Sequence, residues 1–215
     1  MMPIEPPSFT DRAAAACPGH AELALALAAE FGSVDVPAAD AQLDLVAVEL
    51  ADARTLPAVD QLRALAEAMR AFAVVEPHVG SRDLRVDTAL AAWEGHALAL
   101  VPIAVEAGRR AGLPVGVIGD GARHLVAHRA VEEPVALEFG PAGPGLRGAD
   151  ETSMTWRCAH QLSFTTLGVL VNRGTRGGDL GLALRAAELR LALPLGDDVR
   201  RCQEGMLKRL RARLN

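Results

Sequence analysis

The run His96-Ala97-Leu98-Ala99-Leu100-Val101-Pro102-Ile103-Ala104-Val105-Glu106-Ala107-Gly108-Arg109-Arg110 decides the fold. Drawn as a helix, it carries apolar residues on every face, and a helix without a polar stripe belongs inside a protein rather than on its surface. Pro102 lies within it, where the missing N–H and the ring cost about 3 kcal/mol, so a kink or a restart is expected there. Gly112 ends the run. Three short apolar segments follow, Pro114 to Ile118, His124 to His128 and Pro134 to Phe139, separated by Gly119-Asp120-Gly121 and Glu132-Glu133. Short apolar runs bounded by turn formers predict strands in an antiparallel meander. The expected class is α+β, mostly helical, with a small antiparallel sheet.

Helices are predicted on both sides of this centre. Toward the N-terminus, the spacing of Leu23, Leu27 and Phe31 marks one over Ala21–Phe31. Leu43, Val46 and Leu50 mark a second, stopped before Pro57, and Leu62, Leu65 and Met69 a third, from Val59 to Phe72. Val74 to Asp83 reads as a loop, after which Asp87 or Thr88 caps a short helix carrying Leu90 and Trp93. Residues 1–11 form a Pro-rich lead expected to be mobile. Toward the C-terminus, Pro141 to Asp150 reads as a Gly/Pro linker, followed by helices over Met154–Arg173, Asp179–Leu193 and Asp197–Leu214. Gly178-Asp179, the small residues after it and Pro194 have the pattern of a tetratricopeptide-type helical hairpin. The expected organisation is a lead (1–11), a core (12–145) and a helical tail (150–215) packed on the core.

Composition agrees with helices. The 215 residues include 41 alanines, no tyrosine, five Phe and two Trp, a palette unsuited to a β-sandwich or barrel, because strands favour β-branched and aromatic side chains. Net charge is −5, with the acids gathered in residues 1–95 and the bases in 172–215. The basic tail lacks interleaved aromatics and reads as solvated helix faces, so nucleic acid is not an expected partner. Cys17, Cys158 and Cys202 are far apart, with no Cys-x-x-Cys pair, which predicts neither a disulfide framework nor a zinc site. Free thiols suit a reducing, cytoplasmic setting. The start of the chain lacks the basic and apolar regions of a leader, and no stretch reaches the ~20 apolar residues of a membrane span.

The order of elements carries a resemblance. Trp93-Glu94-Gly95-His96-Ala97-Leu98-Ala99-Leu100, Ala107-Gly108-Arg109-Arg110-Ala111-Gly112-Leu113-Pro114, His124-Leu125-Val126, Leu137-Glu138-Phe139-Gly140 and the repeat-like tail together resemble the SirB-type branch of the transglutaminase-like superfamily. That resemblance implies a papain-related core, in which a buried helix presents a nucleophile, the next strands a histidine and an acid, and a tetratricopeptide-like tail follows. It puts the histidine at His124, the acid at Glu138 and the nucleophile at Ala99. A methyl group cannot attack a carbonyl, so catalysis of the family's kind is not expected.

A loop centred on Val131 would set His124 across the ladder from Glu138, close enough for a carboxylate to orient the imidazole, and a one-residue shift would undo this. His124 and His128 stand ~13 Å apart on one strand face and cannot share a metal. Two readings follow. One is a non-catalytic protein that binds a protein or peptide partner through its vestigial cleft and tail, with Trp93, His96 and Trp156 as candidate contacts and no cofactor. The other is an acyl-transfer or hydrolytic enzyme, with His124 as general base and Glu138 as its orienter. Cys158 and Cys17 are expected to lack the helix-N-terminus setting that activates a thiol.

Overall fold

A computed structural model describes residues 8–75, 81–121, 123–148 and 154–213. The apolar run forms helix α6 (Ala97–Arg110). The helices before it are α1 (Phe9–Ala13), α2 (His20–Ala29), α3 (Val36–Val48), α4 (Ala58–Ala68) and α5 (Val86–Ala92). From Leu98 to Gly108 every residue of α6 is buried, because the helix is enclosed by α2, α3 and α5 and by the sheet. The helix continues through Pro102 without restarting. His96 caps its start, where Nδ1 accepts the Leu98 N–H at 3.1 Å, relieving one of the donors that a first helical turn leaves unpaired.

Two-residue strands β1 (Ala73–Val74) and β2 (Glu94–Gly95) pair in parallel just before α6. Val74, read from sequence as loop, therefore belongs to a strand; residues 76–80 of that loop lie outside the described residues. Trp93 was expected inside the preceding helix but ends it instead, in the left-handed region at φ 54°. It is the one non-glycine residue with positive φ among those described. Its ring packs on Phe72 at 4.7 Å, and its carbonyl accepts the Ala73 N–H at 2.8 Å, contacts that offset the ~1 kcal/mol cost of that conformation. Arg85 occupies the N-cap position of α5, not Asp87 or Thr88, and its guanidinium bonds Asp87.

The main sheet has five antiparallel strands, β3 (Val115–Asp120), β4 (Arg123–His128), β5 (Val135–Gly140), β6 (Gly143–Gly148) and β7 (Thr155–Arg157), in the order β6-β5-β4-β3-β7. Two expectations are corrected. Pro141 to Asp150 is not a linker as far as Gly148, since β6 pairs with β5 along its whole length, from Gly140↔Gly143 to Val135↔Gly148. The segment from Met154 does not open a helix either: β7 pairs with β3, and α7 (Ala159–Gly177) begins only after Cys158. One sheet face presents Val115, Val117, Val126, Leu137 and Phe139 to the main core, while Ile118, Leu125, Ala127 and Ala136 form a smaller buried cluster with Met154 packed against it.

The tail consists of α7, α8 (Leu180–Ala192) and α9 (Asp197–Ala212). Gly178, at φ 78°, ends α7, and the Asp179 side chain caps α8 through the Leu182 N–H at 2.9 Å. At Gly174 the two helices come so close that a Cβ would lie 2.7 Å from the Asp179 carbonyl oxygen and from the Ala183 nitrogen. The lead is shorter than expected: from Ser8, which caps α1, the chain is folded, and Phe9 is fully buried. Residues 1–7 lie outside the described residues.

Candidate functional site

The register of β4 on β5 decides whether His124 and Glu138 meet. Val126 lies opposite Leu137. Stepping along both strands puts Phe139, not Glu138, opposite His124, and Glu138 opposite Leu125. This is the one-residue shift that turns a side chain to the other face. The surroundings agree. Glu138 reaches Arg147 at 2.9 Å and Arg123 at 3.5 Å. His124 faces the helical layer, where its Nε2 lies 3.5 Å from the Thr165 hydroxyl of α7. The expected dyad is therefore corrected: its two members occupy opposite faces of the sheet. Burial lowers the His124 pKa, and the nearby Arg157 guanidinium lowers it further.

Ala99 lies in the first turn of α6 and is completely buried in the main core. Its Cβ faces Gly95, where an added Cβ would sit 3.7 Å from it. A group there sees packed side chains rather than solvent. Trp93 and His96 are likewise taken up by structure, Trp93 by Phe72 and His96 by its cap on α6. Trp156 stays 47% exposed on β7, with the Arg129 guanidinium 4.6 Å above its ring. Among the described residues, no group of three or more His, Cys, Asp and Glu is placed to hold a metal, and no helix is long and apolar enough to cross a membrane.

The principal cavities lie elsewhere. One of them, about 700 Å³, opens between α1, α2, α3 and the end of α6. Its floor includes Phe9, Leu25, Val36 and Leu43. Its rim is charged but internally paired: Arg12 with Glu22, Glu30 with Arg185, and Arg110 with Asp40, Asp44 and Glu106. Burial alone would raise the Glu106 carboxyl pKa, but hydrogen bonds from Arg109 and Arg110 hold it below the usual range. Desolvation would lower the Arg110 pKa, and its bonds to Asp40, Glu106 and Asp44 raise it instead. Sequence reading missed this cavity because its lining comes from four helices far apart in the chain. The Glu106-x-x-Arg109-Arg110 spacing was its one visible sign.

Cys158 also departs from expectation. It is the N-cap residue of the 19-residue α7, its N–H donating to Gln161 Oε1 at 3.0 Å. Gln three residues after a cap position is a recognisable helix-start signal, obscured here by placing the helix start at Met154. Cys17, Cys158 and Cys202 are all free and exposed.

The chain is thus an α+β, mostly helical protein with a five-stranded antiparallel sheet. Comparison with family models, curated proteins and solved structures finds no match to it.

Proposed function

We propose that this is a non-catalytic protein of the SirB-type transglutaminase-like kind, which acts by binding a protein or peptide partner. The observation that carries the reading is Ala99: at the position where the resemblance puts a nucleophile there is a methyl group with no exposed surface. The separation of His124 from Glu138 supports it, since the enzyme reading has Glu138 orient the imidazole and the two lie on opposite faces of the sheet. The partner's place is the 700 Å³ cavity, whose apolar floor offers burial and whose rim charges are already neutralised.

The test is photo-crosslinking from within that cavity. A benzophenone side chain at Ala29, which lines it, should capture a discrete partner in cells of the native host, competed by the unlabelled protein. The same group at Lys208 on α9 should not. Absence of a discrete product, or hydrolysis of a peptide or ester substrate lost in His124→Ala, would overturn the reading.

A further inference from the structure

Helix α3 is apolar on two sides. Its inner side buries Ala39, Leu43 and Val46 in the core, as a surface helix should. On its outer side, Ala38, Ala41, Leu45 and Val48 are all exposed. Leu45 is 55% and Val48 68% exposed, the two highest values among the exposed large hydrophobics of the described residues. Helix α9 shows the usual arrangement instead, with Arg201, Lys208, Arg209 and Arg211 turned to water.

The four outer residues are spaced by three, four and three, the seam spacing that keeps one stripe of a helix against a second helix. From Ala38 to Val48 the stripe runs about 15 Å. Its two alanines let a facing backbone approach, and Leu45 and Val48 supply the knobs. Asp44 immediately precedes Leu45 and Glu49 immediately follows Val48, so the two exposed acids flank the seam on either side. Residues 35–53 hold five acids and no Lys or Arg. The Arg110 guanidinium reaches Asp44 but is shared with Asp40 and Glu106, and Glu49 has no ion pair among the described residues. Charge therefore decides what can lie on the stripe. A second copy pairing α3 with α3 would set Asp44 against Glu49 if parallel, and each acid near its own counterpart if antiparallel; both juxtapositions are repulsive. A helix with Lys or Arg at its flanking positions meets the opposite sign on both sides.

We propose that the outer face of α3 is a docking seam for an amphipathic helix of another protein, apolar along one stripe and basic on both sides of it. Val36, Asp40 and Leu43, which line the 700 Å³ cavity, lie on the far side of α3 from this stripe. The interface is therefore separate from the cavity and stands without the reading placed on it.

The probe is a fluorescein-labelled synthetic peptide of three heptads with Leu at the seam positions and Lys at the flanking ones, whose like charges keep it from pairing with itself; its twin carries Glu in place of Lys. Fluorescence anisotropy with the intact protein should show saturable binding of the Lys peptide and binding at least about tenfold weaker for the Glu twin. Leu45→Gln combined with Val48→Gln changes no charge and should weaken the Lys peptide about tenfold, the loss expected for two aliphatic contacts. Both side chains are exposed, so the urea midpoint of this variant should match that of the parent. Glu49→Lys should weaken the Lys peptide and strengthen its twin. Equal binding of the two peptides, or undiminished binding in the double glutamine variant, marks attraction to net charge alone and overturns the proposal. A concentration-dependent dimer of the protein alone, abolished in the double variant, overturns it as well, since the seam would then belong to a second copy.

Discussion

Nε2 of His128 on β4 lies 2.9 Å from Oε1 of Gln61 on α4, while its Nδ1 accepts the Ala130 N–H at 3.1 Å. Both ring nitrogens are thereby committed, and the neutral tautomer with its proton on Nε2 is the one that fits. The pair pins α4 to the sheet from inside a nearly closed site. Gln61→Leu leaves the imidazole N–H buried without an acceptor and should cost about 1–3 kcal/mol in urea unfolding. An unchanged midpoint would mean that water replaces the amide.

The same histidine gives a pH dependence. Burial lowers the pKa of His128, of His20 and of His124, so in each the folded value lies below the unfolded one, near 6.5. As pH falls, the unfolded chain takes up these protons first. The stabilisation is therefore complete above pH 6.5 and is lost progressively as pH falls toward the folded-state values. Urea midpoints measured across this range should drop on the acid side, and His128→Gln should flatten part of the drop.

Arg110 joins three carboxylates, and its loss is expected to be costly. Arg110→Ala leaves Glu106, with its side chain only 10% exposed, to Arg109 alone, and unties α6 from Asp40 and Asp44 on α3. Removing one partner of such a network typically costs about 3 kcal/mol, whereas Glu106→Leu, which removes the buried charge as well, should cost less. Thermal or urea unfolding of the two variants orders them.

Gly174 and Gly177 lie one turn apart on α7 and should respond oppositely. An added methyl at Gly174 meets backbone atoms of Asp179 and Ala183, which cannot yield without opening the α7–α8 hairpin, so Gly174→Ala should destabilise by about 1–3 kcal/mol. Gly177 has nothing within 4 Å, and Gly177→Ala should be neutral or stabilising by about 0.5–1 kcal/mol. Paired melting curves decide the sign.

Ala99→Cys tests the packing at the position of the resemblance. A thiol there would be enclosed by the core and should resist iodoacetamide in the native protein while Cys17, Cys158 and Cys202 react. Rapid alkylation of the new cysteine would show that the start of α6 opens to solvent.

The centre of the fold was legible because its signal is dense. Residues 97–110 are apolar on every side, and the strands from Val115 to Phe139 are bounded by Gly and Glu-Glu turns. The strand Gly143-Pro144-Gly145-Leu146-Arg147-Gly148 was not, since glycines and a proline mimic a linker and its pairing with β5 is a tertiary choice. Thr155-Trp156-Arg157 is too short for any periodicity to appear. The site suffered from the same limit in sharper form. Choosing Val131 as the centre of the β4–β5 loop was reasonable from the sequence, yet the ladder centres half a residue later, which separates His124 from Glu138. Residues from α1, α2, α3 and α6 build the large cavity, and no local pattern announces a meeting of elements so distant in the chain.

The placement of the two tryptophans makes the protein its own optical instrument. With no tyrosine in the chain, its near-ultraviolet emission comes from Trp93 and Trp156 alone. Trp93, stacked on Phe72, reports the integrity of the interior, while Trp156, nearly half exposed beneath Arg129, reports the β7 edge of the sheet. Quenching by acrylamide should therefore resolve two populations, and only the accessible one should change in Arg129→Ala, which uncovers the Trp156 ring.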